Sequence, residues 1–295
     1  MRTPMLFCGA GAVVAALFFA CGSDEDSLFP DGDAASTSSS SSSGASGVPG
    51  FQTDGGSNGS GGPAQPATPV DVVFTTDNAY KFGWGTKDGL ASMQGSPANP
   101  TGNEIFPCPV GQGPEAYVVP GDEAPLEGYL YVVAWDDHDN TQGALGQFKR
   151  RGSDKVVYTG DPAWEVCATG LVYDARDAGA QGPPLDIVNA EMAKCAAGSG
   201  DKTKTSGGWV NAQGAITPGA VGKLMIGEDN SEGIVDGGVF PITCQEDDAG
   251  LGIDPAARWM WYSSDGLPHF QNDPDPRSFL IFRLPNSAVP PPPVN

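Results

Sequence analysis

The chain predicts an all-β protein, an antiparallel β-sandwich with one short helix and long loops. Three observations predict it. Short apolar runs with strand periodicity recur from Val70 onward. Clusters of Gly, Pro, Asn and Asp separate most of them. The composition, with Gly 42, Pro 27 and only 17% charged residues, suits a loop-rich β protein better than a helical one.

The first segment is an export signal. Arg2 precedes an apolar run from Met5 to Ala20, too short to span a bilayer comfortably, and a polar stretch opens at Gly22-Ser23-Asp24-Glu25-Asp26. Phe18-Phe19-Ala20-Cys21 resembles a bacterial lipobox. That resemblance implies removal of residues 1–20 and a fatty-acylated Cys21 as the mature N-terminus, anchored in the lipid bilayer. The acidic run after Cys21 resembles surface-export signals of lipoproteins, and Gly22 stands where inner-membrane retention would use an aspartate. Both imply the outer membrane or the cell surface.

Residues 21–69 carry the lipidated N-terminus and a linker. Ala35 to Gly47 is almost wholly Ser, Thr, Gly and Ala, and Gly- and Pro-rich pieces follow up to Pro69. Too little apolar surface is present to offset the entropy of ordering, so the segment is expected to be a disordered tether with ends about 40 Å apart.

A head domain over residues 70–289 follows, large enough to bury a substantial core. Val70, Val72 and Phe74 alternate along a first strand. Tyr129-Leu-Tyr-Val-Val-Ala-Trp135 is the clearest strand. Apolar on both faces, it reads as a sandwich-core strand or one covered by a loop. Further strands are expected at 145–149, 155–159, 164–169, 222–227, 239–243, 257–262 and 278–284. Leu185, Val188, Met192 and Cys195 follow helical spacing, with Asp186 as a cap and Gly198 as a stop. Residues 290–295, with Pro290 to Pro293, form an extended Pro-rich tail.

Of six cysteines, Cys8 leaves with the signal and Cys21 takes lipid, which leaves Cys108, Cys167, Cys195 and Cys244. An even number in an exported chain reads as two disulfides. Proximity in the chain favours Cys167–Cys195, with Cys108–Cys244 as the second. A zinc site is the rival, but CxxC spacing is absent and there are two histidines. The formal charge of -21 and a pI near 4.1 exclude nucleic acid as a partner and oppose electrostatic adhesion to anionic lipid.

Phe74-Thr-Thr-Asp77-Asn78-Ala79-Tyr80-Lys-Phe82, with Gly83-Trp84-Gly85 after it, resembles the opening strand and turn of galactose-binding-like jelly-roll modules. Tyr129 to Trp135 followed by Gly143-Ala-Leu-Gly146-Gln-Phe148 resembles a later strand pair of the same modules. Arg258-Trp259-Met-Trp261 with Phe279-Leu-Ile-Phe282-Arg283 is similar to their "W-x-W … F-R" pair, which there usually precedes the "DN" strand. The likeness spans about a third of the folded part, and the insert from about 160 to 255 has no counterpart in it. It implies a jelly-roll-like sandwich used for carbohydrate recognition and supplies no catalytic residue.

Asp136, Asp137 and Asp139 follow the strongest strand, and Asp77 ends the first. Clustered carboxylates at strand ends could hold a structural Ca²⁺, although an Asp-rich turn that only caps the strand produces the same pattern. Trp259 and Trp261, two apart, share one strand face, as a core pair or a sugar platform. Trp84, in a Gly-rich stretch, is expected as an exposed ring. The loop 263–277 carries His269, Phe270 and Asn272, suited to binding a surface glycan.

Catalytic signatures are missing from the sequence: there is no Gly-x-Ser-x-Gly elbow, no His-Glu-x-x-His and no phosphate loop. A carboxylate pair for glycoside hydrolysis needs geometry rather than motif, and Asp136, Glu165, Glu228, Asp229 and Asp265 are its candidates. The sequence therefore reads as a cell-envelope lipoprotein whose head binds carbohydrate or another surface ligand without catalysis. The alternatives are an adhesion protein that binds another protein and a polysaccharide hydrolase.

Overall fold

A computed structural model of the chain describes residues 68–77, 79–94, 114–135, 143–173, 181–231, 252–267 and 278–293. They belong to one compact unit, Ser60–Asn295. The strands are β1 (Val70–Asp77), β2 (Ala79–Thr86), β3 (Gly89–Gln94), β4 (Glu115–Val119), β5 (Tyr129–Trp135), β6 (Gly143–Arg150), β7 (Val157–Tyr158), β8 (Glu165–Ala168), β9 (Val210–Asn211), β10 (Gly214–Ala215), β11 (Lys223–Asp229), β12 (Arg258–Ser263) and β13 (Leu280–Pro285). One α-helix, α1 (Leu185–Ala197), lies between β8 and β9.

The protein is an all-β antiparallel sandwich. One sheet has the order β11-β12-β6-β1-β4, with β7 added on β6; the other runs β10-β9-β8-β13-β5-β2-β3. Most successive strands change sheet, the back-and-forth winding of a jelly-roll-like sandwich. Alternation decides what lies between the sheets. Val70, Val72, Phe74, Phe148, Met260 and Tyr262 from the first sheet meet Phe82, Trp84, Leu130, Val132, Phe282 and Leu284 from the second.

β5 is apolar on both faces because its sheet is covered on both. Leu130, Val132 and Ala134 point into the sandwich. Tyr131, Val133 and Trp135 point outward beneath α1, where they pack with Val188, Met192 and Cys195. The cover is thus a helix rather than a loop. α1 ends as the sequence predicts: Gly198 adopts φ 66°, and the N–H groups of Gly198 and Ser199 donate to the carbonyls of Cys195 and Lys194. That is a Schellman closure, and φ > 0 there favours glycine. Its start differs. Pro184 occupies the cap position without a side-chain bond, and Asp186 lies inside the first turn.

Cys167 on β8 and Cys195 on α1 are bonded, with Cα atoms 6.2 Å apart. The bridge pins the C-terminal end of the helix to the sheet. Asn189 fixes the middle, since its side-chain amide accepts from Leu90 N–H at 2.7 Å and donates to Leu90 C=O at 3.1 Å. It thereby supplies β3, last in its sheet's strand order, with the two bonds a further strand would offer. Cys108, Cys244 and the strand expected at 239–243 lie outside the described residues.

Candidate functional site

The strand register gives the sandwich two distinct ends. At the proximal end Val70 lies opposite Arg150, and Tyr129 opposite both Gly85 and Pro285. At the distal end Asp77 lies opposite Gly143, Ala79 opposite Trp135, and Leu280 opposite Ala134. β12 also leaves distally, since its Met260 faces Ala144, the second residue of β6. The connections 136–142, after β5, and 268–277, before β13, therefore start and finish from strand ends at this pole. Of the residues expected to bind cation or sugar, Asp77 sits at the distal end of β1 and is partly exposed. Asp136, Asp137, Asp139, His269, Phe270 and Asn272 lie outside the described residues, as does Cys21. Among the described residues no group of three or more His, Cys, Asp or Glu is placed to hold a metal ion.

Many acidic residues that are described have a local task. Asp161, Asp201, Asp229, Asp254 and Asp265 each accept the backbone N–H two residues ahead, at 2.8–3.0 Å. These are Asx turns, in which the carboxylate closes the turn that its own backbone begins. The Thr203 N–H and hydroxyl hold the Asp201 carboxyl below its ordinary pKa.

Trp84 does not present an exposed ring. Its ring is 6% exposed and packs on Phe82 inside the sandwich, while Nε1–H donates to the Glu123 carboxylate. Gly83-Trp84-Gly85 is not a turn but the second half of β2, with a register shift between Trp84 and Gly85. A Cβ on either glycine would stand 2.2 Å from a β3 carbonyl oxygen, of Ser92 or of Gly89. The glycines mark the close approach of β3, not a bend.

Trp259 and Trp261 are buried, at 5% and 4% exposure, but on the face away from the facing sheet. They cluster there with Val73, Leu145, Ile253 and Ala257, while Met260 and Tyr262 point between the sheets. Shared-face reasoning holds; the core they join is a second one outside the sandwich.

One constellation was not singled out from the sequence. Arg283 on β13 lies in register between Tyr131 of β5 and Glu165 of β8. Its Nε donates to Glu165 Oε2 at 2.6 Å, and Nη1 donates to the carbonyl of Lys87 at 3.3 Å. The guanidinium lies 3.7 Å from the centroid of the Trp209 ring and 5.1 Å from that of Tyr129. Planar stacking of this kind suits arginine and not lysine. The Tyr131 hydroxyl donates to the carbonyl of Thr86, and burial raises its pKa well above the usual tyrosine value. The linear chain carries no signal for it: Glu165, Trp209 and Arg283 are far apart in sequence, and strand pairing alone brings them together.

Four of the five carboxylates weighed for hydrolysis are among the described residues. Glu165 is engaged by Arg283 at 2.5–2.6 Å. Asp229 and Asp265 close turns at opposite ends of the β11–β12 pair, where Lys223 faces Ser263 and Asp229 faces Arg258. Glu228 is exposed on β11, and Asp136 lies outside the described residues. Beside the disulfide, Thr169, Glu191, Lys194 and Gly208 line a hollow with room for about one water.

Comparison with known proteins adds no relative. No family model, curated protein or solved structure matches this chain. Among the described residues no helix is long and apolar enough to cross a membrane.

Proposed function

We propose that this is a cell-envelope lipoprotein, anchored through lipid on Cys21 at the outer membrane or cell surface. Its head binds carbohydrate or another surface ligand without catalysis. The observation that carries the reading is the polarity of the sandwich. The segment that would lead from the membrane joins at the proximal end, at Val70. The strand ends that bracket 136–142 and 268–277 gather at the other. A head held this way presents its distal loops outward, and loops on a rigid scaffold are the usual place for recognition. His269, Phe270 and Asn272 are the proposed sugar contacts, and Asp77 with Asp136, Asp137 and Asp139 the proposed Ca²⁺ ligands. Engagement of Glu165 by Arg283, and of Asp229 and Asp265 by turns, favours recognition over hydrolysis.

A second reading, docking of another protein, has an observation of its own. Leu171, Val172 and Leu267 are 38–51% exposed, and Leu171 and Leu267 adjoin the distal strand ends. The experiment is a glycan array probed with the full chain, with and without EGTA. Specific signals lost in Phe270→Ala and Asn272→Ala are expected. A silent array together with release of sugar from a polysaccharide substrate would replace the reading by hydrolysis. Silence with saturable binding to a purified envelope protein, weakened by Leu267→Asp, would replace it by adhesion.

A further inference from the structure

At the proximal end a single guanidinium gathers both ends of the head. Arg150, the last residue of β6, is 3% exposed. Its Nη1 donates to the carbonyls of Thr68 at 3.0 Å and Ala124 at 3.1 Å. Nε donates to Val289 at 3.2 Å and Nη2 to Asn286 at 3.2 Å. All four acceptors are backbone carbonyls, and no described carboxylate forms an ion pair with it. Next to it Arg151 N–H donates to Pro69 C=O at 2.9 Å, and the Asn286 amide donates to Pro125 C=O at 2.9 Å. The residues that lead into β1 are thus fastened to the residues that follow β13, which belongs to the other sheet.

β1 runs from the entry point to the distal end, flanked along Val70–Phe74 by β4 and along Val70–Asp77 by β6. Its ladder bonds lie across the strand direction. Tension applied between the entry and the distal end therefore acts along β1 and loads these bonds together. The weak point under such tension is the first residue, from which a strand can peel bond by bond. Arg150 and Arg151 hold the two carbonyls immediately ahead of it.

We propose that the Arg150 knot is a tension clamp, which resists unfolding of the head when it is pulled through the segment preceding Thr68. The proposal rests on the anchored reading only for the direction of the natural load. Forced unfolding is governed by the unfolding rate, so the test is a rate under load. The full chain is held at constant force between handles at Gln65 and Leu267, and separately between Lys87 and Leu267, which bypass the entry. In Arg150→Met, unfolding through Gln65 should accelerate about tenfold or more, and through Lys87 much less. Arg150→Lys should fall between Met and wild type, and decides the matter if the Met variant does not fold. Equal acceleration through both handle pairs, or none through Gln65, overturns the clamp. An unlipidated Cys21 would remove the natural load and leave this handle dependence intact, so the two proposals fail separately.

Discussion

Two buried arginines show two ways to keep a cation inside an acidic protein. Arg283 uses a carboxylate and two aromatic faces. Arg150 uses backbone carbonyls alone, and desolvation lowers its pKa from the ordinary value. The chain has 36 acidic residues, so a shortage of partners does not explain the difference. Position does. Arg283 lies on a sheet face, where register brings a neighbouring side chain alongside it. Arg150 lies at a strand end among turns, where carbonyls without ladder partners converge. The first arrangement stiffens one sheet beneath its helix; the second joins chain segments that no sheet joins.

The largest expected effect separates the two directly. Arg150→Met removes the donor from four backbone carbonyls, three of them in buried bonds, and should cost about 4 kcal/mol in urea denaturation. Arg283→Met should cost about 2 kcal/mol, because the Glu165 left behind is partly solvated. In a Glu165→Gln background the Arg283 cost should fall by about half, while the Arg150 cost stays the same. A shrinking Arg150 cost would mean that the two sites are coupled.

The next effect concerns the cover over the Arg283 face. Cys195→Ser opens a bridge between positions 28 apart in sequence and should cost about 3 kcal/mol. Hydrogen exchange in α1 should quicken with it, while exchange at Val289 N–H stays slow. Parallel loss at both places would make the face and the knot one cooperative unit.

The smallest effect is a pH dependence. Burial raises the Tyr131 pKa above the ordinary value near 10, and raises Tyr117 to about 12. A raised acid pKa means that the unfolded chain loses its proton first. The stability these groups contribute is complete below pH 10 and declines as pH climbs above it. Tyr131→Phe should cost about 1 kcal/mol at neutral pH and flatten that decline in alkaline melts.

The strands rich in β-branched and aromatic residues were legible. β1, β5, β6, β8, β11, β12 and β13 all fall where periodicity places them, and so does α1. β2, β3, β4, β9 and β10 were not. Gly83 and Gly85 resemble a turn in sequence because glycine serves both turns and close strand approach. The candidate site was less legible than the fold. Asp229 and Asp265 look like possible acids in a list of residues, and only the N–H two positions on shows that they close turns.

By itself the sequence determined the class of fold and the helix with its stop, and it favoured the pairing of Cys167 with Cys195 without deciding it. These depend on local periodicity and short-range spacing, which a linear chain displays. Tertiary structure alone decided that a helix covers the outer face of β5, that Trp84 turns inward, and which arginine meets a carboxylate. Those outcomes depend on register between strands distant in sequence, and a one-residue change of register would reverse every one of them.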